Sequence, residues 1–139
     1  MNQGFVADSS VGVAWVVASQ SSPATEDLLD EVASGTPFVV PVLWMFEVSN
    51  ALFMLARRKR IRPEQSAYDR QAVVRLCPVV DEDGLRFAFT RITELAEKHG
   101  LPVYDATYLE LALRRSLPLA SRDADLNRAA KSAGVSILV

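Results

Sequence analysis

The chain has 139 residues, 50% of them hydrophobic and 23% charged, which is enough for one packed domain and too little for two, so residues 1–139 read as a single domain. Its longest apolar runs, residues 11–18 and 38–46, fall short of the roughly 20 residues that cross a bilayer, and no membrane span is expected. One cysteine and one histidine exclude an internal disulfide, a Cys/His zinc site and imidazole-based hydrolysis.

The net charge of -2 is unevenly spread. Residues 1–56 carry six acidic residues and no Lys or Arg, whereas residues 57–139 hold 15 basic residues against 11 acidic ones. That permits a basic surface around an acidic centre. Residues 1–8 lack both a basic start and a long apolar core, so no secretory signal is expected and the chain reads as a protein of a reducing cytoplasm. Cys77 then reads as a small core residue. His99, ahead of Gly100, reads as a helix-end residue.

In chain order, residues 4–7 form a short apolar run ending at Asp8, and Ser9 and Ser10 are N-cap candidates for a helix over 11–18. Ser22 and Pro23 start a second helix that Gly35 stops, and residues 38–40 form a buried strand closed by Pro41. Residues 43–58 read as a helix apolar on most faces, buried against two layers or against a partner. Pro63 starts a helix to about Leu76, and Val79 and Val80 form a brief strand or extended connection. Residues 82–98 then have mostly helical apolar spacing. Residues 101–103 read as a strand-like lead into Asp105 and an amphipathic helix. Residues 117–120 form another buried strand, Asp123 precedes a helix through Leu126 and Ala129, and residues 136–139 form a last strand. Short apolar strands alternating with helices predict an α/β fold with a mainly parallel sheet covered on both faces.

Asp8, Asp105 and Asp123 each follow a short apolar segment and stand at or near a helix start. In an open parallel sheet such carboxyl ends share the crevice where ligands bind, although Asp also caps helices for its own sake. Glu47 is a lone carboxylate in an apolar helix, where an uncompensated charge is costly, and Asn50 can point the same way one turn on. Four converging carboxylates call for a cation, and hard, oxygen-preferring Mg2+ or Mn2+ suits them.

The segments Val6-Ala-Asp-Ser-Ser10, Glu47-Val-Ser-Asn-Ala51, Leu101-Pro-Val-Tyr-Asp-Ala-Thr-Tyr-Leu-Glu-Leu-Ala112 and Leu119-Ala-Ser-Arg-Asp-Ala-Asp-Leu126 resemble, in order and spacing, the acidic motifs of PIN-domain nucleases, and most of all VapC-like toxins of toxin–antitoxin pairs. The resemblance implies a three-layer α/β/α fold and an acidic cluster of Asp8, Glu47, Asp105 and Asp123 holding Mg2+ or Mn2+. It also implies a supporting hydroxyl at Ser121, where the family usually has Thr. Ser9 and Asn50 are supporting candidates; Asp125 either assists a second ion or is a solvated helix position. The implied activity is hydrolysis of structured RNA, such as transfer or ribosomal RNA, by a homodimer that a small cognate antitoxin inhibits. Arg57, Arg58, Lys59, Arg60, Arg62, Arg114, Arg115, Arg122 and Arg128 are candidates for RNA phosphates, the first five equally for complementing a helix dipole. A receiver or aspartyl-phosphatase reading lacks the second aspartate two residues after Asp8. A catalytically inactive PIN-like module that only binds protein or RNA is the alternative.

Overall fold

The computed structural model describes residues 3–139. Four short strands, β1 (Phe5–Ala7), β2 (Phe38–Pro41), β3 (Val79–Asp81) and β4 (Leu119–Ala120), form a wholly parallel sheet in the order β3-β2-β1-β4. Strands buried on both faces read as continuous apolar runs, and every residue of β1, β2 and β4 is buried. Seven helices accompany them among the described residues: α1 (Ser9–Val16), α2 (Pro23–Ala33), α3 (Leu43–Arg57), α4 (Pro63–Arg75), α5 (Arg91–His99), α6 (Val103–Arg115) and α7 (Ala124–Ser132). Helix α6 lies against β1, β2 and β4 with α5 and α7 beside it, while α1 packs on α2, α3 and α4. The result is a three-layer α/β/α sandwich.

The core is Trp44, Phe5, Phe38, Leu52, Tyr108, Leu109, Leu111 and Leu119, with Trp15 edge-on to Phe38 at 5.0 Å between ring centroids. Helices α1 and α3 approach closely at Gly12, where an added Cβ would come within 2.6 Å of the Trp44 ring. That contact lets the Trp44 indole donate to the Asp8 carbonyl at 3.0 Å. Gly100 ends α5 at φ 66°, the left-handed conformation glycine adopts without strain, with His99 in the last turn as expected.

The structure departs from the sequence reading at several places. Asp8 itself, rather than Ser9 or Ser10, caps α1. Residues 82–98 are not one helix: the Gly84 amide bonds the Asp81 carboxylate at 3.0 Å, folding residues Asp83–Phe87 into a 3-10 turn and leaving Leu85 and Phe89 exposed. Pro102 is the N-cap of α6, which starts at Val103, so residues 101–103 are not a strand. The expected last strand shrinks to one bridge, Leu119 with Ile137. Helix α3 buries Trp44, Val48 and Leu52 but exposes Phe46 and Phe53, so within this chain it is buried on one face rather than between two layers. Cys77 is exposed, because α4 has already ended and the chain turns outward there at φ 54°.

Candidate metal centre

The strand order reverses at β1: the chain steps outward through β2 and β3, then returns to place β4 on the other side of β1. Ligand crevices form at such switch points, beyond the carboxyl ends of the strands. Asp8 follows β1 and Ser121 follows β4, and both are buried. The Asp8 amide bonds the Ala120 carbonyl at 3.0 Å, continuing the β1–β4 ladder one residue past the strand.

The Asp8 carboxylate is held at both oxygens. Oδ1 accepts from the Ser10 hydroxyl at 2.6 Å and from the Val11 amide at 3.2 Å, and Oδ2 accepts from the Ser121 hydroxyl. Ser121 Oγ in turn accepts the Asp123 amide at 3.0 Å. Asp123 caps α7, its Oδ1 accepting the amides of Asp125 and Leu126 at 2.9 and 3.0 Å. Glu47, half-buried on α3, accepts from the Tyr108 phenol across on α6, with Ser9 as a further partner. Asp105 stands in the first turn of α6, three residues before Tyr108 and hence on its face.

Electrostatics tie the four acids together. Burial raises the Asp8 carboxyl above the usual range, its hydrogen bonds oppose this, and Asp123 raises it further. Burial and the charge of Asp8 raise Glu47 against the Tyr108 bond. Asp105 is pushed up to about 6 by burial and then by Asp123, Glu47, Asp8 and Asp125. Among the described residues no Lys or Arg forms an ion pair with Asp8, Glu47, Asp105 or Asp123, so the crevice concentrates negative charge without a paired cation.

Residues 5–132 match the PIN domain family. The chain belongs to the PIN-domain family. Among solved structures, this PIN domain is similar to PAE2754 from Pyrobaculum aerophilum, with a TM-score of 0.73 and 21% identity over 99% of this chain and 85% of that one. It is also similar to FitAcB from Neisseria gonorrhoeae, with a TM-score of 0.66 and 16% identity over 97% and 96%. At those identities the likeness shows the fold. A comparison with curated proteins returns no match. PIN domains are generally nucleases that use divalent metals, and that sets the class of activity for this one.

The donor set suits such an ion. All four acids offer hard oxygen, and their mutual repulsion is what a divalent cation relieves. Among the described residues, no three His, Cys, Asp or Glu side chains form a ready-made cage. Mg2+ commonly binds through one or two carboxylates and keeps several waters, so a site of this kind does not require such a cage.

Other expectations shift. Asn50 does not pair with Glu47, whose partners are Tyr108 and Ser9; it is exposed beside the groove between α1 and α3. Asp125 is solvated and paired with Arg128 at 2.7 Å. Arg114 and Arg115 grip Asp81, and Arg122 donates to the Gln20 carbonyl. Sequence reasoning missed Tyr108 as a site residue; the signal was a hydroxyl one turn after Asp105 on an otherwise apolar helix face.

Helices long and apolar enough to cross a membrane are absent among the described residues.

Proposed function

We propose that this PIN domain is a divalent-metal-dependent endoribonuclease that hydrolyses phosphodiester bonds in structured RNA, and that it is the toxin of a type II toxin–antitoxin module. In this reading it works in the cytoplasm as a homodimer, restrained by a small cognate antitoxin. The observation that carries the reading is the uncompensated charge of Asp8, Glu47, Asp105 and Asp123 around the switch point, with Asp105 raised to about 6. The toxin assignment is supported by the likeness of the four motif segments to VapC-type chains.

Asp8 and Asp105 would hold the ion, with Glu47 and Asp123 completing the set. Bound Mg2+ or Mn2+ supplies a nucleophilic water at neutral pH and charge to meet the phosphate and the leaving oxygen. The chain's own residues keep the acids in place. Ser10 and the Val11 amide fix one oxygen of Asp8, and Ser121 fixes the other. Tyr108 acts as a donor only: burial and the charge of Glu47 raise its phenol well above the usual range, so it stays neutral and orients Glu47.

The test is to map new 5′-monophosphate ends across total cellular RNA after brief induction, comparing the native chain with Asp105→Asn. Sharp ends seen only with the native chain support the reading. Identical ends from both proteins, or growth arrest without new ends, overturn it in favour of a binding module.

A further inference from the structure

Along α3, Glu47, Asn50, Met54 and Arg58 recur at intervals of three or four residues, so they form one stripe on the helix surface. From Glu47 to Arg58 the stripe runs eleven residue steps, roughly 16 Å at the helical rise. Its first member is a site acid, and its last is the arginine that caps the helix. Opposite it runs α1, and between the two helices lies an open groove of about 430 Å³. Ser9, Ser10 and Gln20 form the α1 side, and Asn50, Met54 and Arg58 the α3 side.

Ser10 lines this groove and bonds Asp8, so the groove adjoins the acidic crevice. At its far end Arg57, Arg58, Lys59, Arg60 and Arg62 are all exposed. Among the described residues no carboxylate pairs with any of them, whereas Arg114, Arg115 and Arg128 are all engaged by acids. Arg57 stands in the last turn of α3, where a cation complements the helix dipole, while Arg58 lines the groove. Arg58 is thus left facing the groove with its charge unspent.

We propose that Arg58 is a phosphate subsite, and that a single-stranded stretch of the RNA lies along the groove between α1 and α3, with one backbone phosphate on Arg58 and the scissile phosphate at the acids. This rests on the nuclease reading and adds the path of the strand to it. A polymer carrying a phosphate at every step can meet a positive pole and a metal-loaded acidic pole at once. The hydroxyl and amide groups of Ser9, Gln20 and Asn50 offer hydrogen bonds to sugar oxygens between those poles, and Met54 offers apolar surface to a base.

The experiment measures fluorescence anisotropy of a short labelled single-stranded RNA of mixed sequence over a range of salt concentrations. The protein is the full chain carrying Asp105→Asn, so that binding is read without cleavage. Adding Arg58→Ala should weaken binding roughly tenfold and lower the slope of log affinity against log salt by about 0.7, the signature of one lost phosphate contact on a single strand. Arg58→Lys should recover most of the affinity. Arg75→Ala, at the exposed end of α4, should change neither quantity. Unaltered affinity and slope in Arg58→Ala overturn the subsite, while cleavage by the native chain would leave the nuclease reading intact. Conversely, Arg58-dependent binding by a chain that never cleaves RNA with Mn2+ supports the subsite and removes that reading. If Arg58→Ala leaves RNA binding intact and weakens only the hold of a co-purified protein, the guanidinium is a protein contact and the proposal fails.

Discussion

Asp8 and Asp81 occupy equivalent places, both buried at the carboxyl end of a parallel strand, yet their surroundings treat the charge in opposite ways. Around Asp8 the partners are two hydroxyls and an amide, the neighbouring charges are acidic, and the carboxyl is raised. Around Asp81 the partners are Arg114 at 2.7 Å, Arg115 at 2.9 Å and the Gly84 amide, and the carboxyl falls to about 2 despite burial. Glu110, also buried, takes a second bond from Arg114 at 2.7 Å, so the outer edge of the sheet is locked to α6 by a closed ionic network. A buried charge at a strand end is therefore no signature of a metal site by itself. What separates the two is whether the protein supplies the counter-charge.

That contrast can be broken from either side. The largest expected effect is on activity: Asp8→Asn should lower RNA cleavage on the order of a thousandfold, several kcal/mol of barrier, measured as initial rates with Mn2+, while the melting temperature holds. Asp81→Ala should do the reverse. Removing one member of a buried pair strands the other charge and costs about 3 kcal/mol of stability, read from urea unfolding by tryptophan fluorescence, with cleavage per folded molecule retained. Loss of cleavage in folded Asp81→Ala would assign the outer network to the site.

Tyr108→Phe probes a smaller contribution. It keeps the buried ring and removes only the donor to Glu47, so the cleavage rate should fall about tenfold, as for other groups that orient metal ligands. The unfolding midpoint should barely move. A rate equal to the native one would make that hydrogen bond structural.

The smallest effect is the pH dependence of stability in the metal-free protein. Asp105 has a folded value near 6 against an ordinary 3.8, so the fold binds its proton more tightly than the unfolded chain does, and stability rises as pH falls from 7 to 5. Asp81 runs the other way. Its value near 2 lies below the ordinary 3.8, so its contribution is complete above that and is lost as pH falls from about 4 towards 2. Thermal melts should trace a maximum between these limits. Asp105→Asn should flatten the neutral side, and Asp81→Asn the acid side.

The difference between the two regions also explains what the sequence disclosed. Asp8, Glu47, Asp105 and Asp123 were legible because each interrupts a locally apolar segment, and their order and spacing match a family pattern. The alternation of short apolar runs with helices was enough for the parallel α/β sheet. Asp81 follows the same kind of run, Val79-Val80, but its partners lie 33 and 34 residues away and no local pattern joins them. For the same reason Arg114 and Arg115 read as free cations. Asp105 was singled out although the strand-like lead assigned to it is not there, because position relative to the family motif does not depend on local structure: α6 already starts at Val103, inside that lead. The outward turn at Cys77 escaped notice because a left-handed backbone at a non-glycine residue leaves no compositional trace.

The measurement that most directly tests the central claim is calorimetric titration of the metal-free protein with Mn2+, in the native chain and in Asp105→Asn. An acidic crevice lacking its own counter-charge predicts saturable binding and a raised melting temperature in the native chain, with both lost or strongly weakened in Asp105→Asn. Equal binding by the two proteins, or no binding by the native chain, would contradict the account.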